Sequence, residues 1–268
     1  MAPKKQISKY FLYENAVQTP DVHCEILMNI YRESFGRYAR NLREDFCGTF
    51  TISTEWVKRN KRNTALGLDL DPEPIEYGMK HHFSKLKPEQ KKRLQIRQKN
   101  VLTPPAYKPD LIVAANFSFF IFKERKTLLQ YFKACLKSMA PEGVLVLETF
   151  GGAGAIETVR ERKFINLRKN FKYTYFWDQQ SFNPISHDGQ YAIHFTLPDG
   201  TRMRNAFTYD WRIWTIPEIR DLLIEAGFTE TAVYWETEHK GEPTGEYAKS
   251  ELGDNAYSWI AQVVAIKR

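Results

Sequence analysis

Two acids close the apolar run "TALGLDLD", Asp69 and Asp71. A carboxylate at a strand end can accept hydrogen bonds from both hydroxyls of a ribose, and a carboxylate just before a helix caps it. Asp69 stands at the strand end and suits the first role. Asp71 directly precedes "PEPIEYG" and suits the second, with the ribose role in reserve. A second stretch, "NLREDFCGTF", carries Glu44, Phe46, Cys47, Gly48 and Thr49 in a strand-to-helix turn. Gly48 has no Cβ, so a ligand can approach the backbone closely there. One glycine does not make a phosphate cradle. The Gly-x-Gly-x-x-Gly that a nicotinamide-dependent dehydrogenase needs is missing, which argues against that class.

Farther along, "FTYDWRIWT" brings Tyr209, Trp211, Arg212 and Trp214 together. A guanidinium grips a carboxylate bidentately and aromatic rings hold a cation, so this set suits a small acid or amine as substrate. The same residue types also pack a strand against a sheet, with the arginine paired at the surface. His187, His194 and Tyr209 are the candidate proton-transfer groups. His81 and His82 are adjacent and are assigned no metal. Cys24, Cys47 and Cys135 are odd in number and widely spaced. They form neither a disulfide framework nor a metal-ligand pattern, and point to a cytoplasmic setting.

The chain has 268 residues and a formal net charge of +7, much of it in "KLKPEQKKRLQIRQK", residues 85–99. This run reads as a solvated helix end and loop, or as a nucleic-acid footprint. It lacks the interleaved aromatics on which bases stack, so the first reading is preferred. The start "MAPKKQISKY" has no apolar core or small-residue cleavage site and is not expected to be a secretory signal. No apolar run approaches a membrane span.

The elements that must hold these residues follow from periodicity. Residues 20–40 have helical spacing, as one or two helices. "TISTEWVKRN" reads as a helix, "TALGLDLD" as a strand and "PEPIEYGMKHHFSKL" as a helix. "RLQIRQKNVL" is a weaker strand, "PDLIVAANFSFFIF" a strongly apolar one. "KERKTLLQYFKACLKSMA" is an amphipathic helix, and "PEGVLVLETFGG" a turn and buried strand. Strands and helices thus alternate to residue 150, which predicts a parallel sheet covered by helices on both faces. Beyond it, Tyr191, Ile193, Phe195 and Leu197 alternate on one run, and Met203, Phe207, Tyr209 and Trp211 share a side of the next. With the turn "PDG" between them they predict a β-hairpin. "TIPEIRDLLIEAGF" is a helix ending at Gly227. "TETAVYWET" and "YSWIAQVVAIKR" read as two closing strands, with Pro243 and Gly245 in the loop between them.

Taken in order, "EDFCGTF", "LGLDLDPEPIEYG", "KNVL", "DLIVAANFSFF", "MAPEGVLVLETF" and "LLIEAGF" resemble the motifs of class I S-adenosylmethionine-dependent methyltransferases over most of the chain. The resemblance implies a Rossmann-like α/β fold, seven strands in order 3-2-1-4-5-7-6 with the last antiparallel. Residues 1–40 would form an N-terminal helical extension and 41–268 the methyltransferase domain. A hairpin insertion at about 172–214 would follow strand 5, where this fold places a cover over the active site. The first motif departs from the family's acid followed by Gly-x-Gly-x-Gly. Aligned that way, Glu44 takes the acidic place, and Phe46, Gly48 and Phe50 the three glycine places. It is close to a subgroup whose motif reads near "LREDFCGT".

The cofactor implied is S-adenosylmethionine, leaving as S-adenosylhomocysteine. Its contacts would come from Glu44, Phe46, Cys47, Gly48 and Thr49, from Asp69 with Leu70 against the adenine, from Asn100 and Val101, and from Asn116 and Phe117. Arg37, Arg40 or Arg43 would meet the methionine carboxylate. The preferred activity is in-line methyl transfer to a small molecule, with the Tyr209–Trp214 segment as substrate contacts. An RNA or protein methyltransferase using residues 85–99 and a non-catalytic S-adenosylmethionine-binding module are the alternatives. Against the nucleic-acid version, "ANFSFF" lacks the Asn/Asp-Pro-Pro-aromatic signature of amino-group methylases. The hairpin suits a homodimer contact as well as a lid. No membrane partner is expected.

Overall fold

A computed structural model describes residues 7–167, 171–239 and 242–268; the first six residues of the basic start lie outside it. The chain divides into two compact units. One comprises Pro20–Ala155 and Trp214–Arg268; the other comprises Ile156–Ile213 and the chain up to Thr19.

In the larger unit, helix α2 (Pro20–Phe35) leads to β1 (Asn41–Asp45), α3 (Thr51–Arg59), β2 (Thr64–Asp69), α4 (Pro72–His81), the short α5 (Pro88–Lys91), β3 (Leu94–Gln98), β4 (Leu111–Ala114), α6 (Arg125–Ser138) and β5 (Gly143–Gly151). After the excursion through the smaller unit come α7 (Ile216–Ala226), β10 (Glu230–His239), β11 (Glu242–Lys249) and β12 (Trp259–Lys267). One sheet runs β11-β10-β12-β5-β4-β1-β2-β3. Strands β1 to β5 are mutually parallel, and β12 is antiparallel to both β5 and β10. Leaving out β11, this is the expected order 3-2-1-4-5-7-6. The burial of β4 and β5 at almost every position is what a sheet covered on both faces requires.

Pro243 and Gly245 do not lie in a loop; they belong to β11, an eighth strand paired with β10. Proline is tolerated there because β11 is the sheet edge.

The smaller unit holds α1 (Lys9–Val17) and the strands β6 (Val159–Asn166), β7 (Lys172–Phe182), β8 (Asp188–Thr196) and β9 (Arg202–Arg212). The expected hairpin is present as β8 and β9, but within a four-stranded antiparallel sheet β6-β7-β8-β9. Its apolar face carries Tyr173, Ile193, Phe195 and Leu197, and α1 lays Leu12 into that face. The Tyr173 hydroxyl donates to Leu12 O at 2.6 Å, and Phe207 packs on Tyr10 and Tyr13. Strand β6 escapes a periodicity reading because residues 160–163 are all charged. Such charge is how an edge strand avoids pairing with other chains.

Candidate functional site

The parallel strands β1, β2, β4 and β5 all end at one edge of the sheet, where ligands of open α/β folds bind. The loop after β1 has an unusual path. Phe46, Gly48 and Phe50 all have positive φ, at 56°, 51° and 51°. For a bulky residue that conformation costs on the order of 1–3 kcal/mol, so the surroundings must enforce it. Phe50 is 0% exposed and its ring lies against Gly78 of α4, where a Cβ would clash with it. Phe46 packs on Phe122 and Tyr131 with ring centroids at 5.7 and 5.8 Å. The three positive-φ residues are thus Gly48 and two phenylalanines wedged by their neighbours.

Hydrogen bonds fix the rest of it. Cys47 N donates to Leu68 O at 2.9 Å, and Phe50 N to Cys47 O at 2.6 Å. Cys47 itself is buried, and burial holds its thiol well above the usual range. Glu44, also buried, accepts Ser53 N at 2.8 Å, which caps α3 from the strand. Burial raises the Glu44 carboxyl to about 7, against the opposing effects of Ser53 and His23.

The two acids of "GLDLD" separate as their positions require. Asp71 accepts Glu73 N at 2.9 Å and caps α4. Asp69, at the end of β2, accepts Gly48 N at 2.7 Å on Oδ2 and Asp71 N at 3.0 Å on Oδ1. A carboxylate has about four acceptor sites, so Asp69 retains capacity for two more donors. Leu70 beside it is 61% exposed, although apolar. Gly48 has open space where a Cβ would stand. Thr49 Oγ1 is buried without a hydrogen-bond partner among the described residues. Asn100 accepts Leu102 N at 2.9 Å, which ties its oxygen into its own turn, and Val101 is buried.

At the end of β4, Asn116 and Phe117 are also left-handed, with φ of 52° and 59°. Asn116 N donates to Glu148 Oε2 at 2.5 Å. Glu148, on β5, faces His23 Nε2 at 3.3 Å and accepts from Gln262 Nε2 at 3.3 Å. Burial opposes its charge, but His23, Asn116 N–H and Gln262 outweigh burial and hold its carboxyl below the usual value. Neither His23 nor Glu148 stood out in the sequence. The only signal was a lone acid inside the apolar strand "VLVLETF".

Other expected residues are placed elsewhere. Arg37 pairs with Glu142 at 2.9 Å, just before β5 begins. The backbone N–H of Arg40 is bonded by Asp110, just before β4. These two arginines therefore sit at the opposite edge of the sheet. Arg43 is 0% exposed and is clamped by Asp45, with Nε to Oδ1 at 2.8 Å. None of the three is available to a methionine carboxylate. In the basic run, Arg93 donates to Val57 O, Asn60 O and Asn63 O, so it acts as an internal strut.

Trp214 belongs to the larger unit; it is buried and donates its indole N–H to Phe122 O at 3.0 Å. Tyr209 and Trp211 belong to the smaller unit, where both pack at a tilt against Trp177 and against each other, and Trp177 stacks on Tyr191. Burial holds the Tyr209 phenol well above its usual range. Arg212 lies opposite Asp188 in the β8–β9 register. His187 is a left-handed turn residue with φ 60°. His194 accepts Asn205 N at 2.8 Å on Nδ1 and meets Asp178 Oδ2 at 3.0 Å on Nε2. With both nitrogens engaged, His194 is a structural histidine.

No family model matches the sequence, and no curated protein matches it. Solved structures do. CalS10 with bound S-adenosylmethionine, an amino pentose methyltransferase from Micromonospora echinaspora involved in calicheamicin biosynthesis, matches with a TM-score of 0.70 at 13% identity over 100% of both chains. DesVI of Streptomyces venezuelae matches with a TM-score of 0.73 at 14% identity, covering 98% of this chain and 100% of that one. The sugar N-methyltransferase KedS8 from Streptoalloteichus sp ATCC 53650 matches with a TM-score of 0.67 at 13% identity, covering 100% and 96%. These likenesses establish the fold: the chain has the class I S-adenosylmethionine-dependent methyltransferase fold, with an extra edge strand and a four-stranded antiparallel elaboration.

Proposed function

We propose that this protein transfers a methyl group from S-adenosylmethionine to a small molecule, leaving S-adenosylhomocysteine. The observation that carries the reading is the joint between the two motif loops. The left-handed turn at Phe46, Gly48 and Phe50 is bonded through Gly48 N to Asp69. The residues fit this cofactor. Asp69 has acceptor capacity for a ribose diol, Leu70 offers an exposed apolar face for a base, and open space over Gly48 admits a tail without phosphates. The buried, unbonded Thr49 hydroxyl is a further donor beside it. On residues 42–49 of the sequence we also assign the chain to the subgroup whose first motif reads near "LREDFCGT".

When bound, S-adenosylmethionine supplies an electrophilic methyl on a sulfonium. The chain aligns an acceptor opposite it and keeps water out. An acceptor that arrives as an ammonium must give up a proton before its lone pair can attack, and a hydroxyl must give one up as it is methylated; His23, facing Glu148 at 3.3 Å, is the group we assign to receive it. Relatives named as amino pentose and sugar N-methyltransferases favour a small acceptor carrying an amine over RNA or protein. The test is transfer of a labelled methyl into a panel of amino sugars, small amines and small acids. Product from one class, abolished in a variant that no longer binds the donor, supports the proposal. Donor binding with no product from any acceptor would leave a binding module instead.

A further inference from the structure

The smaller unit carries a second feature. Strands β6 to β9 of its sheet line a cavity of about 530 Å³, within the range of about 300–1,000 Å³ usual for small-molecule sites. Arg160, Phe176, Gln180, His194, Arg202 and Arg204 line it, and no carboxylate does. Behind the lining, buried Asp178 organises one wall. It accepts Arg160 Nε at 2.9 Å and Nη2 at 2.6 Å, Gln180 Nε2 at 3.0 Å and His194 Nε2 at 3.0 Å. Arg202 and Arg204, two residues apart on β9, form the other wall. Both are exposed and neither has an acidic partner among the described residues.

Three arginines line this cavity. One is already oriented by a buried carboxylate, which is how proteins preorganise an oxyanion grip. Left empty, such a wall would repel itself. We propose that this face binds a small molecule through a phosphate group, with Arg160, Arg202 and Arg204 gripping the oxygens and Phe176 beside its body.

The experiment is a calorimetric titration of the whole protein with inorganic pyrophosphate, in low-salt buffer, to about 10 mM. Arg202→Gln/Arg204→Gln is compared with wild type and with Lys61→Gln/Arg62→Gln, which removes equal charge from the larger unit. The expected result is saturable one-to-one binding, weakened at least about tenfold by the Arg202/Arg204 variant and unchanged by the other. Citrate, the carboxylate counterpart, should bind more weakly. No saturation by wild type, equal weakening by both variants, or citrate binding as tightly as pyrophosphate would each overturn the proposal. Both arginines are exposed, so the substitutions should leave the sheet folded, which thermal unfolding of the variants checks.

Discussion

Replacing Gly78 with alanine tests how the motif loop is held. On a helix alone the change should stabilise by about 1 kcal/mol. Here the new Cβ would press into Phe50 Cε1 and stand 2.6 Å from both Phe50 Cζ and Thr49 O. Ordinary carbon contacts are about 3.5–4.0 Å. The ring cannot swing into solvent, because Phe50 is fully buried, and Thr49 O is backbone. Overpacking of this kind costs about 1–3 kcal/mol, and here a left-handed loop must move as well. We expect Gly78→Ala to lose about 1–2 kcal/mol net, read as a lower urea midpoint at unchanged slope. Donor affinity should fall with it, since Thr49 and Phe50 continue from Gly48. Adding Phe50→Leu deletes the ring atoms in conflict, so the double variant should lose less than the sum of the singles. A stabilised Gly78→Ala protein, or strictly additive losses, would refute the idea that α4 wedges the loop through Phe50.

Further expectations concern charge. The Glu44 carboxyl titrates at about 7 in the fold against 4.5 in an exposed chain. The native state therefore holds its proton more tightly, and stability is greatest below pH 4.5 and falls as pH rises through 7. The difference is on the order of 3 kcal/mol. Glu44→Gln should flatten that slope, as read by denaturant midpoints across pH 5 to 8. Arg43→Leu should cost about 3–5 kcal/mol, because it strands the buried Asp45 carboxylate; retained stability would mean that the Tyr131 hydroxyl, which donates to Asp45 Oδ2 at 2.9 Å, suffices. His23→Gln should lower the transfer rate by about 10²–10⁴ with donor affinity unchanged.

The alternating core was legible in the sequence because β4 and the first half of β5 are apolar runs, α6 and α7 are amphipathic, and α7 carries a capping box and a terminal glycine. The capping by Asp71 and the place of Asp69 at the strand end were legible too, since one acid starts a helix and the other ends a strand. What escaped depended on contacts distant in the chain. Phe46 and Phe50 do not look like loop residues until Gly78, Phe122 and Tyr131 are seen to hold them. In α1 the apolar residues surround the helix instead of forming one stripe, so period 3.6 gives little signal. The His23–Glu148 pair joins residues 125 positions apart and has no motif. Arg37, Arg40 and Arg43 misled for the converse reason. Nearness in sequence to the loop suggested the cofactor, yet two lie at the far end of the strand and the third is locked to Asp45.

The central claim is that the loop at Gly48 and the carboxylate of Asp69 together hold S-adenosylmethionine. Calorimetric titration of wild type and Asp69→Ala with S-adenosylmethionine tests it most directly. The account predicts one-to-one binding by wild type, weakened in the variant by about 1.5–3 kcal/mol, or roughly tenfold to a hundredfold. Folded wild-type protein that does not bind the donor would contradict the account, and unchanged affinity in Asp69→Ala would contradict the site.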